Sequence, residues 1–250
     1  MLETSIPKNS AVLAALLRAD FTILWRNRRS LRLVLLLPLI ILFSWKGLVD
    51  KLGGVFVLSS CITIGLTSIG LMGYTNSIAR DRDRGVFQRL RVGPVSAWTI
   101  MTSRLLVQVA MILLMTILIF IGGYFVDHIQ LSPAGYVAGL LLAMLGGAVY
   151  LGMGQAIVGR IKNPDTVNST TRLVYFVFIM IGMFGEFGML GEILGKVVVW
   201  SPYGVVRRVL ASSLAPATWT IENTYALLAS AGYAAVFIVL GVKWFKWESK

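Results

Sequence analysis

Cysteine and histidine are almost missing from this chain. Of its 250 residues one is a cysteine, Cys61, and one a histidine, His128. No internal disulfide can form, and no histidine-based metal cluster can assemble. Cys61 stands inside an apolar run, where a thiol serves as a small buried hydrophobe. Charge is scarce too, with Asp, Glu, Lys and Arg at 14% against about a quarter in soluble domains. Signatures of common chemistry are also missing. The chain has no Gly-x-x-x-x-Gly-Lys-Ser/Thr phosphate loop, no His-Glu-x-x-His, no Gly-x-Ser-x-Gly and no catalytic Cys/His pair.

Apolar sequence is what remains, 57% of the chain with a mean hydropathy of +0.79. That composition predicts an all-α integral membrane protein. Residues 1–250 read as one transmembrane domain, with no room for a large soluble module. Six transmembrane helices are expected, at 33–49, 54–77, 105–126, 134–158, 173–190 and 223–242. Residues 26–43 have the basic-then-apolar look of a signal peptide. No small-x-small cleavage site follows, so a retained first span is expected.

The charges sort themselves on this topology. Eighteen basic and six acidic residues fall on one side of the membrane, five and five on the other. All of the net charge of +12 therefore lies on one face. The positive-inside rule makes that face cytoplasmic, with both termini inside. Topology accounts for the basic excess, so nucleic-acid binding loses its motivation.

The segments between spans carry more information. Residues 10–30 predict an amphipathic helix in the membrane interface, with Ser10 as its N-cap and Val12, Leu13, Leu16, Leu17 and Leu24 on one face. Asp20 interrupts that stripe. After the second span comes ARDRDRGVFQRLRVGPVSAW, with five arginines and two aspartates between Ala79 and Arg91. Residues 80–92 predict a short charged helix with an apolar patch of Val86, Phe87 and Leu90, stopped by Gly93-Pro94. Contact with anionic lipid heads would explain the arginines. It would not call for aspartates among them or for a Phe, whereas an aromatic anchor with a charged rim is how protein interfaces are built. Residues 191–213 predict two short helices broken at Ser201-Pro202, too short to span and re-entrant or interfacial on the outer side.

Taken together, these features resemble the permease subunits of type-2 ATP-binding-cassette (ABC) exporters, most of all the drug and antibiotic branch. The resemblance covers essentially the whole chain. It rests on RDRDRGVFQRLRVGPVSAWTI (80–100), WSPYGVVRRVL (200–210) and LRADFTILWRNRRSLRLVLLLP (17–38). One departure is Arg80 or Asp81 where the family usually has Glu. The resemblance implies that 80–92 is a coupling helix docking on a separate nucleotide-binding subunit. Phe87, Val86 and Leu90 would be its buried anchor, and Asp81, Arg82, Asp83, Arg84 and Arg89 the charged rim. Phe87→Asp would then uncouple transport without preventing insertion. The partners implied are that ATPase subunit, which would hold ATP and Mg, a second permease (a copy or a relative), and membrane lipids. The implied setting is a prokaryotic plasma membrane, and the implied function is export of a hydrophobic or amphipathic compound.

Polar residues within spans are candidates for a substrate path, because they are costly in lipid. Asn76, Tyr150, Gln155 and Glu186 qualify. Helix packing is the competing explanation, especially for Gln155, which sits among Gly146, Gly147, Gly152, Gly154 and Gly159. The Met- and Phe-rich fifth span, YFVFIMIGMFGEFGM, could line an adaptable apolar route. Two other functions fit the sequence less well. A membrane enzyme on lipid substrates would need Asp81 and Asp83 to hold a metal, which the flanking arginines oppose. A non-transporting scaffold or sensor would use the same partner-binding helix.

Overall fold

The computed structural model describes residues 9–26, 28–92, 96–186 and 191–245, and all regular structure among them is helical. Helix α1 covers Asn9–Arg26 and α2 covers Arg28–Ser44. A 3-10 turn at Lys46–Leu48 and one helical turn at Val49–Leu52 lead to Gly53. Helix α3 then runs through Gly54–Asp83 and α4 follows as Val86–Val92. The rest are α5 (Ala97–Asp127), α6 (Pro133–Arg160), α7 (Pro164–Glu186), α8 (Gly191–Trp200), α9 (Pro202–Leu214) and α10 (Ile221–Trp244).

Four of these helices, α3, α5, α6 and α10, are long and apolar enough to cross a membrane. Among the described residues, the other two expected spans do not reach that measure. Pro38 lies inside α2, whose described apolar part is Val34–Ser44, and α7 opens on the polar run PDTVNSTTR. The first span was expected to reach residue 49, but its helix ends at Ser44 before Lys46.

Local chemistry fixes the helix ends. Ser96, Ser132 and Ser201 cap α5, α6 and α9, each accepting a backbone N–H three residues on. Asn163 Oδ1 accepts from Asp165 N and Thr166 N at the start of α7. Ser10 is no cap, because it lies within α1, which is described from Asn9 on.

The core forms around α3, which is the most buried of the spans. Its inward face is rich in hydroxyls, with Ser59, Ser60, Thr63, Thr67, Ser68 and Thr75 all buried. Thr63, Thr67 and Thr75 donate back to carbonyls of their own helix, which lets polar residues sit inside at low cost. Residues Ser68–Thr75 form a π-helical stretch. There α3 crosses α6 nearly backbone to backbone. A Cβ on Gly70 would come within 2.7 Å of the Tyr150 backbone, and one on Gly154 within 2.8 Å of Gly70 O.

Around this axis α10 packs along α6, α5 packs on α3 and α6, and α9 wedges among α3, α6 and α10. Helix α1 keeps the apolar stripe read from its sequence half-buried. The stripe turns toward α5, with Leu16 and Leu24 against the core, while Phe21, Ile23 and Trp25 stay exposed. Exposed Leu, Ile, Val and Phe side chains cover the outer faces of α5 and α10, as lipid contact requires.

Candidate functional site

The charged stretch is not one helix. Residues 76–83 continue the second span straight out of the bundle. The chain then turns at Arg84-Gly85, where Gly85 takes φ +67°, and restarts as the seven-residue α4. The residues expected to form one surface are divided by that turn.

Arg82 points inward and is 1% exposed. Its guanidinium donates to the carbonyls of Val158 (2.6 Å), Ile161 (2.6 Å) and Lys162 (2.9 Å). These oxygens lie at the C-terminal end of α6, where carbonyls lack intrahelical partners and a cation meets the negative end of the helix dipole. Asp81 is also turned inward. Its carboxylate pairs with Arg104 of α5 at 2.9 Å, and Arg104 reaches Asp20 of α1 at 3.3 Å. Ser103 Oγ donates to the other oxygen of Asp20 at 2.6 Å. Two carboxylates and one guanidinium thus tie α1, α3 and α5 together. Asp81 and Arg82 therefore do not belong to an outward rim. Burying a charge demands a partner, and both have found theirs within the chain.

Phe87 is turned inward as well. It is fully buried in the main hydrophobic core, edge-on to Phe245 just beyond α10, with ring centroids 6.0 Å apart. Leu90 packs partly buried against the same core, and Val86 is half-buried. A short helix ending a membrane span has an apolar core at hand, and its aromatic residue goes there. What faces outward is polar: Arg80, Asp83, Arg84, Gln88 and Arg89 are all exposed. Arg89 lies over the turn, 3.4 Å from Arg84 O.

The residues proposed for a substrate path separate into two places. Asn76 and Tyr150 belong to the hydroxyl-rich side of α3. Asn76 donates to Met72 O at 3.0 Å and lies 3.5 Å from Thr171 Oγ1 of α7. The Tyr150 ring meets Phe178 of α7 edge-on, and its buried hydroxyl makes no hydrogen bond of normal geometry. Gln155 lies on another side of α6, where its Oε1 accepts from the Tyr74 hydroxyl at 2.7 Å. The two sets do not share a chamber. Glu186 is the last residue of α7, and its side chain lies outside the described set. No group of three potential metal ligands occurs among the described residues.

The family model of the ABC-2 type transporter matches residues 11–205. The chain is a member of that family. A search among curated proteins finds no match. As an ABC-2 permease the chain is a membrane-spanning component of an ABC transporter, and the matched region takes in α1, the charged turn and the start of α9.

Several residues of this permease that shape the site were not singled out from sequence. Ser103, Arg104 and Tyr74 are in that group, and so is Gln88 on the outer face of the turn. At the opposite end of the bundle, Arg207 stands 5.1 Å from the centre of the Phe56 ring. Burial, with help from neighbouring Arg208, lowers its pKa to about 10, so it stays cationic at neutral pH. Arg208 pairs with Glu222 and donates to Asn223 Oδ1 at 3.0 Å, which fastens α9 to the start of α10. The signal for such residues is a charge set in an apolar helix, because it must have a partner somewhere.

Proposed function

We propose that this ABC-2 permease is the transport half of an ATP-driven exporter whose motor is a separate subunit. The chain itself would hydrolyse nothing, and ATP and Mg would sit on that subunit. One observation carries the reading: the charged turn is polar outside and anchored inside to four helices. Arg80, Asp83, Arg84, Gln88 and Arg89 offer a motor a charged face of both signs. Arg82, Asp81 and Phe87 join the same turn to α6, α5, α1 and the end of α10. A push on the outer face is thereby delivered to the spans as one movement. The docking role implied by the family resemblance passes from Phe87 to these exposed residues.

The path is best sought along the hydroxyl side of α3. Ser60 and Tyr150 hold buried hydroxyls there, and Asn76 lies at the charged end of the same side. A route with scattered hydroxyls in an apolar wall suits a hydrophobic or amphipathic compound. The working unit would pair two permeases with two ATPases in a prokaryotic plasma membrane, both termini inside.

Affinity purification of the full chain in mild detergent, with mass spectrometry of what stays bound, tests the reading. A stoichiometric subunit with a phosphate-binding loop is expected. The double variant Arg84→Glu/Arg89→Glu should lose it while remaining folded, since both side chains are exposed. Full binding and transport by that variant would refute the docking face. Absence of any such subunit from the folded wild-type chain would refute the exporter.

A further inference from the structure

A cleft of about 470 Å³ opens sideways between α5, α6 and α10, away from the hydroxyl side of α3. That is within the range of roughly 300–1,000 Å³ for pockets that hold small ligands. Its walls are apolar, from Leu105, Met144, Ala148, Leu151 and Ile238 among others. Tyr74 and Gln155 are polar groups at its inner wall, and Trp98 stands at its rim.

Helix geometry places this cleft within the membrane. At 1.5 Å per residue, the 28 residues of α6 extend about 42 Å, the full bilayer thickness with headgroups. Gln155 lies five residues from the end of α6 at Arg160, or about 7.5 Å in. That depth is the border between headgroups and hydrocarbon. Met144, at the far end, lies about 24 Å in, just past the bilayer midplane. The cleft therefore runs the length of one leaflet's hydrocarbon and ends at the ester level. Leu105, Met144, Ile238 and Val242 on its edges are exposed on the lipid-facing surface, so the mouth opens to acyl chains. Gln155 adds a polar requirement. Its Oε1 is taken by Tyr74, and no carbonyl among the described residues takes its amide hydrogens. An amide donor left at that depth is costly without an acceptor.

We infer that the cleft binds one acyl chain of a glycerol-ester phospholipid from the leaflet on the charged-turn side. The chain lies between α5 and α6, and its ester carbonyl accepts from Gln155 Nε2. Trp98 at the rim sits where indoles favour the headgroup level. This site is separate from the path proposed above and does not require that the chain transport anything.

The test uses the full chain in phosphatidylethanolamine–phosphatidylglycerol vesicles, with a trace of phospholipid carrying a diazirine in its acyl chain. After illumination, cross-links are mapped by mass spectrometry. Labels should concentrate on the cleft walls of α5 and α6. Ala148→Trp and, independently, Leu105→Trp should abolish them while leaving labels near exposed Leu114 unchanged. Gln155→Leu should weaken labelling by a diester probe about fivefold, the worth of one neutral hydrogen bond, and leave a diether probe unaffected. Even labelling along α5, α6 and α10 that neither Trp variant alters would overturn the site. Equal loss of both probes in Gln155→Leu would overturn the ester contact.

Discussion

At the residue scale, the permease spends its few buried charges on joining helices. Arg104 is 9% exposed and stands between two carboxylates. Replacing a buried ion pair by apolar groups can be neutral, but removing one partner leaves uncompensated charge. Arg104→Ala should therefore cost about 3–5 kcal/mol, more than Asp20→Asn, which keeps an acceptor for Ser103. Thermal unfolding in detergent reads both, and equal midpoints for Arg104→Ala and wild type would show the network to be idle. Phe87 offers a parallel case. Phe87→Ala should lose about 3–5 kcal/mol, whereas Phe87→Leu stays within about 1.5 kcal/mol and keeps the turn in place. Phe87→Asp, attractive from sequence as an uncoupling probe, would bury an unpaired carboxylate and report on folding instead. These roles were not legible in the sequence. Asp20 interrupts an apolar stripe, and its partners lie more than eighty residues away. Nothing local reveals that the defect in the stripe is one half of a contact.

At the element scale, the α3–α6 crossing sets the permease's core. Glycines in α6 read as a close-approach surface, and the structure agrees at Gly154, where a Cβ would stand 2.0 Å from Thr75 Oγ1. The π stretch that brings Thr75 there has no signature in composition or periodicity. It follows from tertiary packing, which the sequence around Gly70 does not advertise. The helices themselves were legible because hydrophobic runs are local signals. The division of residues 80–92 at Gly85 was missed because alternating Arg and Asp read as one charged helix. Gly154→Val should prevent α3 from seating on α6 and sharply reduce the yield of folded protein. Gly232→Ala is the control, since a Cβ there meets nothing within 4 Å. It should fold normally and gain roughly 0.5–1 kcal/mol of helix propensity. Gel filtration of the two variants distinguishes them, and a monodisperse Gly154→Val peak would contradict the crossing.

At the scale of the whole molecule, one chemical asymmetry organises the permease. The turn at Arg84, the end of α6 and the start of α5 share one end of the bundle, while α8, α9 and the start of α10 belong to the other. The basic excess was read from sequence onto the first of these ends. That end should face the cytoplasm. The protein itself supplies a clean test, because its sole cysteine, Cys61, is fully buried and should be silent to bulky charged thiol reagents. A cysteine placed at exposed Thr218, between α9 and α10, should react in intact cells with a membrane-impermeant maleimide. One placed at exposed Arg84 should react only after the membrane is opened. The same experiment bears on α7, which has the length of a span but opens on polar turns. Between Arg84 and Thr218 the chain passes through α5, α6 and α7 and then the short α8 and α9, which do not span, so the two positions are separated by an odd number of crossings only if α7 crosses along with α5 and α6. Protection of Arg84→Cys with labelling of Thr218→Cys would place α7 across the bilayer despite its polar first turns. Labelling of both from outside would mean that α7 does not cross and that the charge asymmetry does not set the topology.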